Sequence, residues 1–137
     1  MIDHYVQETI AELKKRGFSG EDIFLSAHSL GGEISQDYVL DKSEIKGQIL
    51  MGSSLLRSKR KINEDGKTIF DGYKIPTLTL FGLKDGLMRV SRGAEAFWHQ
   101  ELNIDESQKG MFPVVVLDKA SHASFIVWIE PCLFLLM

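Results

Sequence analysis

The chain has 137 residues, one domain's worth, and 44% of them are hydrophobic, enough to bury a single core. Its 16 Lys and Arg against 19 Asp and Glu give a net charge of −3, with no patch that would recruit nucleic acid. The single cysteine, Cys132, excludes an internal disulfide and fits a reducing compartment, so a cytoplasmic location is the expectation.

The chain opens on a helical pattern. Ile2, Tyr5, Val6, Ile10 and Leu13 fall on one face, basic residues fill the last turn, and Gly17 is placed as a C-cap. An apolar strand, Ile23–Ala27, follows and runs into Ala27-His28-Ser29-Leu30-Gly31 and then Gly32. A helix is expected from Leu30 to about Asp41. Strand, tight turn, helix, with a serine at the tip, is the geometry of a nucleophile elbow. Such a turn forces the serine into strained backbone. The residues two before and two after it should crowd each other, so both should be small; they are Ala27 and Gly31. The helix start aims free N–H groups and a positive end at the serine, which suits a developing oxyanion.

Gln48–Gly52 reads as the next strand. Residues 56–74 are highly charged, with a turn at Asp65-Gly66, and read as a solvated hairpin or excursion. Thr77–Phe81 is a strand bounded by Pro76 and Gly82, and Gly82-Leu83-Lys84-Asp85-Gly86 sets Asp85 just beyond its C-terminal end. A helix at about Val90–Glu101 carries His99, read as solvated. Val114–Leu117 is the last strand, and Ala120-Ser121-His122-Ala123 puts His122 on the loop leaving it.

These strands are continuous apolar runs, the pattern of parallel strands covered on both faces. The fold class is α/β: a mostly parallel sheet of about four strands flanked by helices. In an open α/β sheet, sites form outside the carboxyl ends of the strands, and Ser29, Asp85 and His122 all stand there, in that order. Asp118 lies only four residues before His122, and Asp71 precedes its strand on the wrong edge. There is no Gly-Lys-Ser/Thr phosphate loop, and the pair His4 and Glu8 supplies two ligands where a metal needs more. No cofactor and no metal are expected.

On these residues the chain resembles the C-terminal part of the α/β-hydrolase superfamily, of the serine esterase or lipase type, from about Asp3 to Phe125. The resemblance implies Ser29 as nucleophile, His122 as general base and acid, and Asp85 as the carboxylate that orients it. It implies the backbone N–H of Leu30 as an oxyanion donor, and a small-molecule ester or lipid-like compound as substrate.

The family's earlier strands, and the loop that would carry a second oxyanion donor, have no counterpart here. Residues 1–137 therefore read as one partial domain lacking the usual N-terminal strands. The gap between Gln48–Gly52 and Thr77–Phe81 is too short for a cap domain, which implies an open cleft. The apolar tail from Phe125 to Met137 reads as a core-packing terminal helix. The chain expressed alone is expected to hydrolyse esters poorly or not at all and to self-associate through an exposed sheet edge. The alternative reading is a non-catalytic truncated isoform or pseudoenzyme acting as an interaction domain.

Overall fold

The computed structural model describes residues 2–19 and 21–126. Helix α1 spans Ile2–Lys15, with Asp3 in its first turn and Lys14 and Lys15 in its last, charges that complement the helix dipole. Ile10 is buried and Val6 packs against the core, but Tyr5 is 62% exposed, so the apolar face is narrower than the sequence suggests. Gly17 follows at φ 91°, the left-handed conformation that ends helices.

Strand β1 (Ile23–His28) leads through Ser29 into α2 (Leu30–Tyr38), which tightens into a 3₁₀ turn at Val39–Asp41. Then come β2 (Ile45–Met51), the short strands β3 (Lys61–Ile62) and β4 (Thr68–Ile69), and β5 (Thr77–Gly82). Helix α3 (Val90–Phe97) precedes β6 (Val114–Leu117). The main sheet has the order β1-β2-β5-β6, and all three pairings are parallel. Pairing of His28 with Met51, Met51 with Leu80, and Gly82 with Leu117 brings the carboxyl ends of all four strands to one edge.

The core gathers Val39, Leu50, Phe70, Tyr73 and Phe112. A connected polar chain runs through it. The Tyr73 hydroxyl donates to Gln48 Oε1, Gln48 Nε2 donates to Ser35 Oγ at 2.7 Å, and Ser35 Oγ donates to the Gly32 carbonyl at 3.2 Å. Burial pushes the Tyr73 phenol up to about 12. Gln36 is equally committed: its Nε2 donates to the carbonyls of Gly32 and Ser54, and its Oε1 accepts from the Leu56 amide. A buried amide is tolerated only when its bonds are all made. Here they lash the start of α2 to the loop after β2.

Residues 56–74 form the expected hairpin, β3 paired antiparallel with β4, but it is not simply solvated. Phe70 and Tyr73 from the same segment are buried in the core, and the basic residues are tied to particular carboxylates. Lys59 bonds Asp37 and Lys61 bonds Asp71. Glu95 accepts from Arg57 Nε and Nη2 at 2.8 and 2.7 Å, from Arg60 at 2.5 Å and from Arg92 at 3.1 Å.

The Arg57 hydrogen bonds, aided by Arg60 and Arg92 against the cost of desolvation, hold the Glu95 carboxyl far below the usual carboxylate range. A depressed pKa contributes stability above the unfolded value near ~4.3, and that stability is lost as pH falls through the folded value. Glu95→Gln is therefore expected to lower stability by about 1 kcal/mol at neutral pH, as for a partly exposed ion network. In urea unfolding, the gap between variant and wild type should narrow below pH ~4.

The helix expected to run to Glu101 is broken at Phe97. Trp98–Leu102 form a π turn, which directs Gln100 inward to bond Thr79 Oγ1 and the Phe112 carbonyl, both at 3.1 Å. His99, expected in solvent, is half-buried with Nδ1 2.7 Å from Thr68 Oγ1, and burial lowers its pKa. Cover on both faces holds for the central strands only. Phe24 on β1 and Val115 and Val116 on β6 are exposed at 54%, 42% and 45%, so the sheet margins are incompletely covered among the described residues. The tail beyond Ile126 lies outside the described residues. No described helix is long and apolar enough to cross a membrane.

Candidate active site

Ser29 has φ 54° and ψ −127°, and among the described residues it is the only non-glycine with positive φ. Such backbone costs about 1–3 kcal/mol and must be held from outside. The amide of Ser29 donates to the Met51 carbonyl at 2.9 Å, and its own carbonyl accepts from Gly32 at 2.9 Å. The crowding expected at Gly31 falls one residue later. A Cβ on Gly31 would meet nothing within 4 Å, whereas one on Gly32 would sit 2.0 Å from Ser53 Oγ. The reason is that α2 turns its Gly32 side onto the loop after β2.

Asp85 lies in the loop after β5 and is 5% exposed. The amides of Leu87 and Met88 donate to its Oδ1 at 3.0 and 2.7 Å, which leaves Oδ2 free to accept from His122 Nδ1 at 2.8 Å. Burial pushes this carboxyl's pKa upward, but the Met88 and Leu87 amides and the His122 ring outweigh it, and the pKa ends below the usual value. A carboxylate only accepts, so His122 Nδ1 carries the proton and Nε2 is the acceptor. That Nε2 is 2.9 Å from Ser29 Oγ. His122 starts a 3₁₀ turn, His122–Phe125, capped reciprocally by Ser121 and Ser124. Three side chains read from separate loops are thus brought into one hydrogen-bonded line.

The other candidates lie elsewhere. Asp118 is exposed, and Asp71 is bonded to Lys61. His4 and Glu8 form a surface pair at 3.5 Å on α1, and among the described residues no cluster of three or more His, Cys, Asp or Glu is placed to hold a metal.

No protein-family model and no curated protein matches this sequence. The likeness is to solved backbones. A protein assigned as a CIB-like hydrolase from Thermoplasma acidophilum aligns over 92% of this chain and 53% of its own length, at a TM-score of 0.54 and 16% identity. A protein assigned as a dienelactone hydrolase from Klebsiella pneumoniae subsp. pneumoniae aligns over 91% of this chain and 50% of its own, at 0.58 and 16%. The fold is that of the α/β hydrolases. The chain spans about half the length of these structures, and identity at this level speaks for the fold alone.

Within this α/β-hydrolase fold, residues that sequence reasoning passed over shape the site. Gly52, directly after β2, has φ 56°, and a Cβ there would lie 3.0 Å from His122 Nδ1 and 3.3 Å from Asp85 Oδ2. Any side chain would both strain the backbone and push on the ring. Gly82 plays a similar part beneath the last loop, where a Cβ would sit 2.3 Å from the Ala120 carbonyl. That carbonyl also accepts from Lys84 at 3.0 Å, which ties the Asp85 loop to the His122 loop. A glycine at the carboxyl end of an apolar strand was the available signal for both.

Helix α2 begins at Leu30, so the amides of its first turn have no helical carbonyl before them and stand next to Ser29. The arrangement can take a proton from a hydroxyl, hold it on an imidazole paired with a carboxylate, and steady negative charge near the helix start.

Proposed function

We propose that the protein is a serine hydrolase of carboxylic esters acting through an acyl-enzyme. The observation that carries this reading is the line Ser29 Oγ–His122 Nε2 at 2.9 Å and His122 Nδ1–Asp85 Oδ2 at 2.8 Å. Ser29 Oγ attacks the ester carbonyl carbon while its proton passes to His122 Nε2. Asp85, unprotonated throughout, steadies the imidazolium. The carbonyl oxygen, now carrying the negative charge, accepts from the Leu30 amide at the start of α2. Collapse expels the alkoxide, which takes the proton from His122 and leaves the acyl group on Ser29. Water then repeats the sequence and releases the acid.

Leu30 and Leu87, neighbours of Ser29 and Asp85 in the chain, are 66% and 77% exposed. Exposed leucines on the segments that carry Ser29 and Asp85 favour a small-molecule or lipid-like ester over a charged substrate. The assignment of both structural neighbours as hydrolases agrees with this reading.

The test is covalent labelling of this chain, and of the longest product of its gene, with a fluorophosphonate probe, with the modified residue mapped by peptide mass. Modification is expected on Ser29 alone. A second reading, a non-catalytic interaction module, is favoured by one observation: β1 is a margin of the sheet, with no strand partner on its outer side among the described residues. Such an edge invites pairing with another strand. A folded longest product that leaves Ser29 unmodified yet elutes as a dimer would support that module and overturn the hydrolase.

A further inference from the structure

We infer that His28, the residue before Ser29, is a positioning residue that holds the main chain of His122; this rests on the serine-hydrolase reading above. His28 is the last residue of β1, and its Nε2 lies 3.0 Å from the carbonyl oxygen of His122. A carbonyl can only accept, so His28 carries its proton on Nε2 and donates it. The two imidazole rings lie 4.5 Å apart at 50°, with the Phe125 ring 6.1 Å from that of His28.

The need for such a tether follows from how little else holds His122. It stands at the head of a single 3₁₀ turn of four residues. The Asp85 bond fixes one ring nitrogen but permits the ring to swing about that bond. The Ser121–Ser124 box closes the turn on itself without attaching it to the sheet. The Lys84 amide holds the loop before the turn at the Ala120 carbonyl and Phe125 is buried at its end, while His28 attaches the main chain of His122 itself. Because His28 and Ser29 are consecutive, the bond links the base's backbone directly to the nucleophile's own turn. Any withdrawal of the His122 main chain from Ser29 has to break it. The position that the small-x-Ser-x-Gly pattern leaves unspecified therefore helps set the 2.9 Å approach on which proton transfer depends.

The experiment compares wild type, His28→Phe and His28→Gln in two measurements. With a fluorophosphonate probe, the labelling rate constant at saturation is separated from the half-saturating concentration. His28→Phe keeps a ring but loses the donor, and is expected to slow the saturated rate about tenfold or more while half-saturation stays within about twofold. His28→Gln offers an amide N–H at similar reach and should recover most of the rate. In wild type, nitrogen-15 spectra of the imidazoles should show His28 protonated at Nε2.

Wild-type rates in His28→Phe, no recovery in His28→Gln, or a His28 protonated only at Nδ1 would each overturn the inference. If His28→Phe does not fold, the tautomer and the Gln variant decide it. A wild type that never labels at Ser29 would sink the hydrolase reading instead. The tautomer measurement would then still report whether the tether exists.

Discussion

In the longest product of the gene, Ser29→Ala is expected to reduce ester hydrolysis to background, a loss on the order of 10⁴-fold or more. The hydroxyl is the only group of Ser29 that His122 reaches, and alanine removes it with almost no change in volume. The neighbouring supports do not depend on that hydroxyl. The Ser29 amide would still donate to Met51, and its carbonyl would still accept from Gly32. The variant should therefore unfold at nearly the wild-type urea midpoint while failing to turn over a nitrophenyl ester. A folded variant that retains a tenth of the wild-type rate would remove Ser29 as the nucleophile.

Asp85→Asn should come close to that loss, on the order of 10³–10⁴-fold, for a reason that lies in its hydrogen bonds. Oδ1 of Asp85 accepts from two amides, so an asparagine would keep its own oxygen there and turn its NH₂ toward His122. Nδ1 of His122 would then have to accept, which sends the ring proton to Nε2. That nitrogen faces Ser29 and could no longer take a proton from it. Asp118→Asn serves as the control. Asp118 is exposed, and its substitution should leave the rate within about twofold, as for a surface change remote from the chemistry. Kinetics of the two variants side by side check the assignment, and a larger loss from Asp118→Asn would reverse it.

How much of this was legible in the sequence depends on how local each feature is. Ile23–Ala27, Thr77–Phe81 and Val114–Leu117 are dense apolar runs bounded by turn residues, so strands and loop positions could be read directly. The carboxyl-end rule then placed Ser29, Asp85 and His122 at one edge of the sheet. Features made by contacts across the chain were not legible. Nothing local distinguishes Gly32 from Gly31; only the loop after β2, folded back onto α2, makes one crowded and the other free. Phe70 and Tyr73 sit in a run dominated by charge, and their burial depends on Leu50, Phe112 and Gln48, brought from three other segments. The π turn at Trp98–Leu102 exists because Gln100 finds Thr79 and the Phe112 carbonyl, partners that no helical periodicity reveals. His99 and His28 were misread or passed over for the same reason, since each is held by a residue far away in the chain.

An acyl-enzyme on Ser29 can be trapped outright. A nitrophenyl ester mixed with the longest product of the gene and quenched in acid within the first turnover should leave one acyl group per chain. Peptide mass spectrometry should find it on the peptide containing Ser29, and it should be absent from Ser29→Ala. Hydrolysis that proceeds with no acyl group on Ser29, or with one on another residue, would contradict the account.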